Sequence, residues 1–173
     1  DIAYSVSQAA RFSFAPKRSH EVALKKLGRY LLKTRDKGLV LTPTKSLDVD
    51  AYPDADFAGL YGYEDKLDPV CVRSRTGFVI NVASCPVLWK SNLQSEIATS
   101  TMEAEINALA GCMRELIPVV DLVKEVGDAV GLEQREAPKV RVHEDNAGAL
   151  ILANTLPPQY TPRSKILRPQ DAL

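Results

Sequence analysis

The sequence predicts an α/β layer fold built on a mixed sheet, and three observations carry that expectation. Short β-rich runs occur at 47–53, 77–82, 86–90 and 139–143, the first of them alternating apolar and polar at period two. A long stretch with helical spacing, from Ser100 to about Val126, separates the third run from the fourth. A shorter helical stretch at 147–153 follows. Three strands in series before a helix exclude a simple doubly wound alternation, and the order strand, hairpin, helix, strand, helix fits a mixed sheet with helices against it.

Taken in order, Ile2, Val6, Ala9, Ala10 and Phe12 recur at helical spacing, and Pro16 closes that segment. Ser19 reads as the N-cap of a second helix that runs to about Thr34. Its apolar stripe is Ala23, Leu24, Leu27, Tyr30 and Leu31, and Lys25, Lys26, Arg29 and Lys33 occupy another face. Asp36-Lys37-Gly38 makes a turn, 39–41 reads as a short strand, and Pro43 with Thr44 marks a boundary. Residues 1–44 are therefore expected to be a two-helix appendage.

The main pattern begins at 45. Residues 47–53 form the first strand, and a polar loop rich in Gly and Asp covers 60–75. The runs 77–82 and 86–90 make a hairpin around Ala83-Ser84-Cys85. In the long helix the apolar face is expected from Ile106, Leu109, Ala110, Met113, Ile117, Val120 and Val123. Pro118 predicts a kink or an interruption there, and Gly127 and Gly131 are expected to end the helix. Asp145-Asn146 opens the last helix, Pro157, Pro158 and Pro162 end regular structure, and 166–173 reads as a loose tail.

Composition narrows the function. No apolar run approaches the ~20 residues needed to cross a bilayer, and the start lacks a basic n-region and an apolar h-region. Cys71, Cys85 and Cys112 are too few and too scattered for a disulfide framework or a zinc module. Reduced thiols and the absence of a signal read as an intracellular protein, cytoplasmic or nuclear. The net charge of zero hides an asymmetry: residues 1–40 carry a balance of +6 and the remainder −6. A basic arm beside an acidic domain suits a chain that grips phosphates with one part and binds cations with another, although a solvated helix face would look the same.

The chemistry-bearing candidates are three acids at three chain positions. Asp54 sits just past the first strand, Glu105 in the first turns of the long helix, and Asp145 at the end of the last strand. If the first and last strands are neighbours, their ends bring Asp54 and Asp145 together, and the helix lays Glu105 across the gap. Such a cluster repels itself unless cations neutralise it. Mg²⁺, or Mn²⁺, is the natural occupant, because it takes hard oxygen ligands from a few carboxylates and leaves places for water and phosphate. Each acid alone has a plainer reading: Asp54 as a turn former, Glu105 as a solvated helix residue, Asp145 as a helix N-cap.

Together these segments resemble the ribonuclease H domain of copia-type retrotransposon polyproteins. That family reads approximately D-A-D-W-A-G, S-G-Y with W-K-S, S-S-T-E-A-E-Y-x-A-L, E-D-N and R-[ST]-K-H-I. The counterparts here are Asp54-Ala-Asp-Phe-Ala-Gly59, Thr76-Gly-Phe78, Trp89-Lys-Ser91, Thr99-Ser-Thr-Met-Glu-Ala-Glu-Ile-Asn-Ala-Leu109, Glu144-Asp-Asn146 and Arg163-Ser-Lys165, in the same order. Asp1-Ile-Ala-Tyr-Ser-Val-Ser-Gln8 and Leu27-Gly-Arg-Tyr-Leu31 resemble the end of the reverse transcriptase region that precedes that domain. The resemblance implies a ribonuclease H-like fold, with a mixed central sheet flanked by helices, over 45–165. It implies hydrolysis of the RNA strand of an RNA–DNA hybrid by two-metal carboxylate catalysis, with Asp54, Glu105 and Asp145 as catalytic and metal-binding residues.

Motif position favours Asp54 over Asp56 and Glu105 over Glu103. Small polar groups near such a site suit 2′-hydroxyls, which makes Thr101, Asn146 and the backbone around Ala55 the substrate-binding candidates. The basic arm would track phosphates of hybrid or other nucleic acid. Trp89 reads as packing, and His20 and His143 read as ordinary surface histidines. After Lys165 the family continues with a His and a further helix, whereas this chain reads Ile166-Leu-Arg-Pro-Gln-Asp-Ala-Leu173. The fourth ligand is then absent or replaced, with Asp171 unsupported by any motif. The expected consequence is weak binding of a second metal and reduced or absent turnover. The Y-x-D-D acids of a polymerase are absent as well, so DNA synthesis is not expected. The competing reading is a catalytically impaired remnant that keeps the fold and binds nucleic acid or a protein partner.

Overall fold

The computed structural model describes residues 1–64, 67–131 and 138–155. The chain divides into two compact units, Asp1–Thr42 and Pro43 onward. In the first, α1 spans Ala3–Arg11 and α2 spans Arg18–Thr34. The second helix starts before Ser19, with Lys17 as its N-cap. The imidazole of His20 takes over the capping role: its Nδ1 accepts from the Lys17 N–H at 3.0 Å, and its ring stacks on Phe12 at 4.0 Å. No residue of either helix is buried. At 100° per residue, Arg18, Lys25, Lys26, Arg29 and Lys33 fall within an arc of about 100°, and the apolar positions lie opposite. All five cations are exposed.

The run at 39–41 is not a strand. Leu39, Val40 and Leu41 are exposed, and β-forming side chains without a neighbouring strand have no ladder to join.

The second unit holds a four-stranded sheet in the order β3-β2-β1-β4. Here β1 is Val49–Asp56, β2 Arg75–Val82, β3 Cys85–Leu93 and β4 Val140–Val142. The β1–β2 and β2–β3 pairs are antiparallel and β1–β4 is parallel, so the sheet is mixed. In β1 the buried positions are Val49, Ala51 and Pro53, while Asp50, Tyr52 and Asp54 point the other way. The hairpin turn is two residues long, Ala83 and Ser84, with φ of 51° and 65°. Positive φ at both positions matches the right-handed twist of the strands, and Val82 pairs directly with Cys85. A bulge follows between Ile80 and Asn81, where Pro86 has no N–H to give the ladder.

Across this sheet lies α3, Thr101–Ala129. Its start is specified by a cap: Ser100 Oγ accepts from the Glu103 N–H at 3.1 Å, and Glu103 Oε2 accepts from the Thr99 N–H at 2.6 Å. The helix is unbroken through Pro118; a proline on a helix packed against a sheet loses one backbone bond without ending the element. Gly127 is buried inside the helix, and the terminus comes at Gly131, where φ is +64°.

The buried face differs from the expected one. It is the i, i+4 row Ala104, Ala108, Cys112 and Leu116, with Glu105 beside it, and Ile117 is exposed. Small side chains let the helix approach the sheet closely, which pushes longer apolar residues to the margins. The core is Val49, Ala51, Phe78, Ile80, Cys112 and Leu116. A short helix, α4 (Ala147–Ala153), packs against α3. Gly148 permits that contact, since a Cβ there would stand 3.2 Å from Met102 Sδ. The three cysteines are free and buried. No described helix is long and apolar enough to cross a membrane. The expected tail at 166–173, Pro157, Pro158, Pro162 and the motif at 163–165 lie outside the described residues.

Candidate metal centre

The parallel pairing of β1 with β4 positions two of the three acids. Backbone bonds reach beyond β4 at both ends: Val49 N–H donates to Lys139 O at 2.9 Å and His143 N–H to Ala51 O at 2.8 Å. Beyond that point β1 continues alone on this edge, and Asp54 lies within the strand, opposite Gly77, rather than after it. Asp145 follows β4 by three residues, in the extended link to α4. The N-cap of α4 is Asn146, whose side-chain oxygen accepts from the Ala149 N–H at 3.0 Å. The Asp145 carboxylate is thus not spent on the cap.

Glu105 reaches this place from the second turn of α3. One oxygen from each of Asp54, Glu105 and Asp145 lies within 4.8 Å of the others, a group that can hold a metal ion. Asp54 and Asp145 are exposed and Glu105 is buried, 9% accessible. The Ala55 N–H bonds to the Glu105 carboxylate, yet Glu105 Oε2 is buried without a hydrogen-bond partner among the described residues. Burial first, and then the negative charges of Glu144, Asp54 and Asp145, push the Glu105 carboxyl up to about 7. An orphaned buried oxygen facing other carboxylates is the arrangement that a hard cation resolves, so the donor set fits a divalent ion with oxygen preference.

Glu144 belongs to the same field. Burial, followed by Asp145 and Asp54, raises its carboxyl above the ordinary value. Its Oε1 accepts from the Asn146 N–H at 3.0 Å, and its Oε2 is buried without a partner among the described residues. The sequence carried one usable signal for it, adjacency to Asp145 in the E-D-N motif.

An open groove of about 540 Å³ runs beside the acids, lined by Tyr52, Pro53, Asp54, Val142, His143, Glu144, Asp145 and Leu150. His143 is therefore not an isolated surface histidine: its Nε2 lies 2.8 Å from Asp50 Oδ1, and its ring stacks on Tyr52. Period-two spacing puts Asp50, Tyr52 and Asp54 on one side of β1, a signal that could have exposed this wall. Of the substrate-binding candidates, Thr101 is exposed at the start of α3, one turn before Glu105. Asn146 is half-buried with its oxygen committed to α4. Asp171 lies outside the described residues.

No family model and no solved structure matches the chain. It is 33% identical over 152 residues to the Retrovirus-related Pol polyprotein from transposon RE1 of Arabidopsis thaliana, covering 88% of this chain and 9% of that protein. It is 32% identical over 136 residues to the corresponding polyprotein from transposon TNT 1-94 of Nicotiana tabacum, 79% of this chain and 9% of that one. A third relative, Secreted RxLR effector protein 161 of Plasmopara viticola, is 32% identical over 117 residues, 68% of this chain and 77% of that protein. The chain thus spans about a tenth of the length of the Pol polyproteins it matches. It belongs to one sequence family with the Plasmopara viticola protein and with these segments of retrovirus-related Pol polyproteins.

Proposed function

We propose that residues 45–165 form a ribonuclease H-like domain that hydrolyses the RNA strand of an RNA–DNA hybrid, as part of a retrotransposon polyprotein. The observation that carries this reading is the gathering of Asp54, Glu105 and Asp145 within 4.8 Å at the end of a parallel strand pair. Similarity to Pol polyproteins over most of the chain supports it. Asp54, Glu105 and Asp145 would hold Mg²⁺ or Mn²⁺, and a pair of such ions supplies an activated water and a counter-charge for the departing oxygen.

The protein's own residues divide the remaining work. Asp54 and Asp145, exposed at the groove, face the scissile phosphate. Glu105, pinned by the Ala55 N–H, closes the back of the site where water is excluded. In this reading the Thr101 hydroxyl and the Asn146 amide meet sugar hydroxyls. The cations of α2 track phosphates, a contribution that is insensitive to sequence and sensitive to salt. Residues 1–44 fit the end of a reverse transcriptase region.

A cleavage assay tests this reading. Wild-type protein with Mg²⁺ or Mn²⁺ should shorten the labelled RNA strand of a hybrid and leave the DNA strand intact, and Asp54→Asn should abolish the cut. A second reading, a remnant that keeps the fold without catalysis, is favoured by one finding: a relative of which the chain covers 77% carries the name of an effector. Equal background from wild type and Asp54→Asn would establish the second reading and end the first.

A further inference from the structure

Tyr52 of β1 and His143, directly after β4, stand side by side in the groove that holds the carboxylates. The register Ala51↔Val142 makes them cross-strand neighbours. Their rings are stacked, with centroids 4.5 Å apart and planes 8° from parallel. Both side chains keep nearly half of their surface in solvent, so the wall they form is open to a ligand.

The histidine is held in one orientation. Asp50 Oδ1 lies 2.8 Å from His143 Nε2, and Asp50 is clamped by Arg141 through Nε at 2.7 Å and Nη2 at 3.0 Å. Hydrogen bonds from Arg141 and then His143 hold the Asp50 carboxyl down at about 2, so it is ionised and only accepts. Nε2 therefore carries the ring proton, and in the neutral imidazole Nδ1 is left as an acceptor. Among the described residues no group hydrogen-bonds Nδ1.

An acceptor flanked by aromatic faces and acids repels a phosphate oxygen and welcomes a hydroxyl. A ribose ring offers both halves of that match, apolar C–H groups for the rings and a 2′-hydroxyl that donates. We infer that the Tyr52–His143 pair is the sugar-recognition wall of the site: the rings pack against the ribose of the strand engaged at the carboxylates, and His143 Nδ1 accepts from its 2′-hydroxyl. His143 then distinguishes ribose from deoxyribose. The inference rests on the nuclease reading for its substrate, and adds the residue that selects the strand.

The test uses the full chain with Ca²⁺, a hard cation of looser geometry that occupies the carboxylates in place of Mg²⁺ without supporting the cut, and measures competition binding by fluorescence anisotropy. Hybrids with an RNA strand are compared with hybrids whose RNA strand carries 2′-fluoro groups, which cannot donate. Wild type should prefer the hydroxyl strand by about tenfold, the worth of one hydrogen bond. His143→Phe keeps a ring on Tyr52 and removes the acceptor, so it should bind the two strands within about twofold of each other. The wild-type comparison changes only the ligand and is immune to misfolding of a variant. Equal wild-type affinity for the two strands, or a hydroxyl preference that survives in His143→Phe, would overturn the inference. Either result leaves the nuclease reading to be decided by the cleavage assay with Asp54→Asn.

Discussion

Glu105 and Asp54 approach each other to within 4.8 Å, oxygen to oxygen, from a helix and a strand that lie far apart in the chain. The contact sets one carboxyl in the protein's interior against another at its surface. Among the described residues nothing hydrogen-bonds Glu105 Oε2, so the pair is a local instability that the rest of the domain sustains.

That instability has a pH signature. The Glu105 carboxyl is raised from 4.5 to about 7, by burial first and then by Glu144, Asp54 and Asp145. Between those values the unfolded chain has released a proton that the native state retains, so stability falls as pH rises. The favourable contribution is complete below about 4.5 and is lost as pH passes through about 7. Glu105→Gln should therefore raise Tm at pH 8 by a few degrees, corresponding to about 1 kcal/mol, and give little gain at pH 4.5. Thermal unfolding at the two pH values checks it; a gain of the same size at both would refute the burial account.

The close approach of α3 to the sheet depends on the Ala104, Ala108, Cys112 row, all fully buried. Ala108→Leu should cost about 1–3 kcal/mol by overpacking, whereas Ile117→Ala on the exposed side should cost less than about 1 kcal/mol. Urea unfolding of both variants measures the difference. Equal costs would mean that the helix is not held by its small face.

The cation row of α2 makes a separate prediction about salt. If Lys25, Arg29 and Lys33 neutralise phosphates, replacing all three with Gln should lower the slope of log affinity against log salt by about 2–3 for a duplex. The exposed Glu21–Lys25 pair at 2.6 Å adds little against this, as surface ion pairs do. Binding titrations from low to moderate salt read the slope, and an unchanged slope would make the row a solvated face.

Much of this architecture was legible in the residues, for reasons particular to each element. Helix α2 announced itself by a wide apolar stripe, and the hairpin by two β-rich runs around the short link Ala83-Ser84-Cys85. The last helix was marked by the pair Asp145-Asn146, of which Asn146 rather than Asp145 is the cap. The three acids could be named because the segments around them resemble the motifs of the copia-type ribonuclease H domain, and motif position chose Asp54 over Asp56 and Glu105 over Glu103.

Other features were hidden because tertiary packing decides them. The face of α3 that meets the sheet is chosen by how near the helix lies, and pattern reading weights large residues over Ala and Cys. Pro118 lies within α3 between Leu116 and Val119–Val120, all of which pack in or against the core. Residues 39–41 have the composition of a strand and no partner. Asp54 lies inside β1 because the β1–β2 ladder continues to Asp56↔Arg75, which no local signal foretells. His143 was unreadable alone, since its partners are Asp50 and Tyr52 from a strand distant in sequence.

The account stands on three carboxylates sharing a cation, and calorimetric titration of Mn²⁺ into the full chain examines that most directly. Wild type should show saturable binding, with protons released as the metal displaces them from Glu105 near pH 6.5, and Asp54→Asn, Asp145→Asn and Glu105→Gln should each weaken it at least about tenfold. Identical isotherms for wild type and all three variants would show that the acids hold no ion in common, and the metal centre would have to be abandoned.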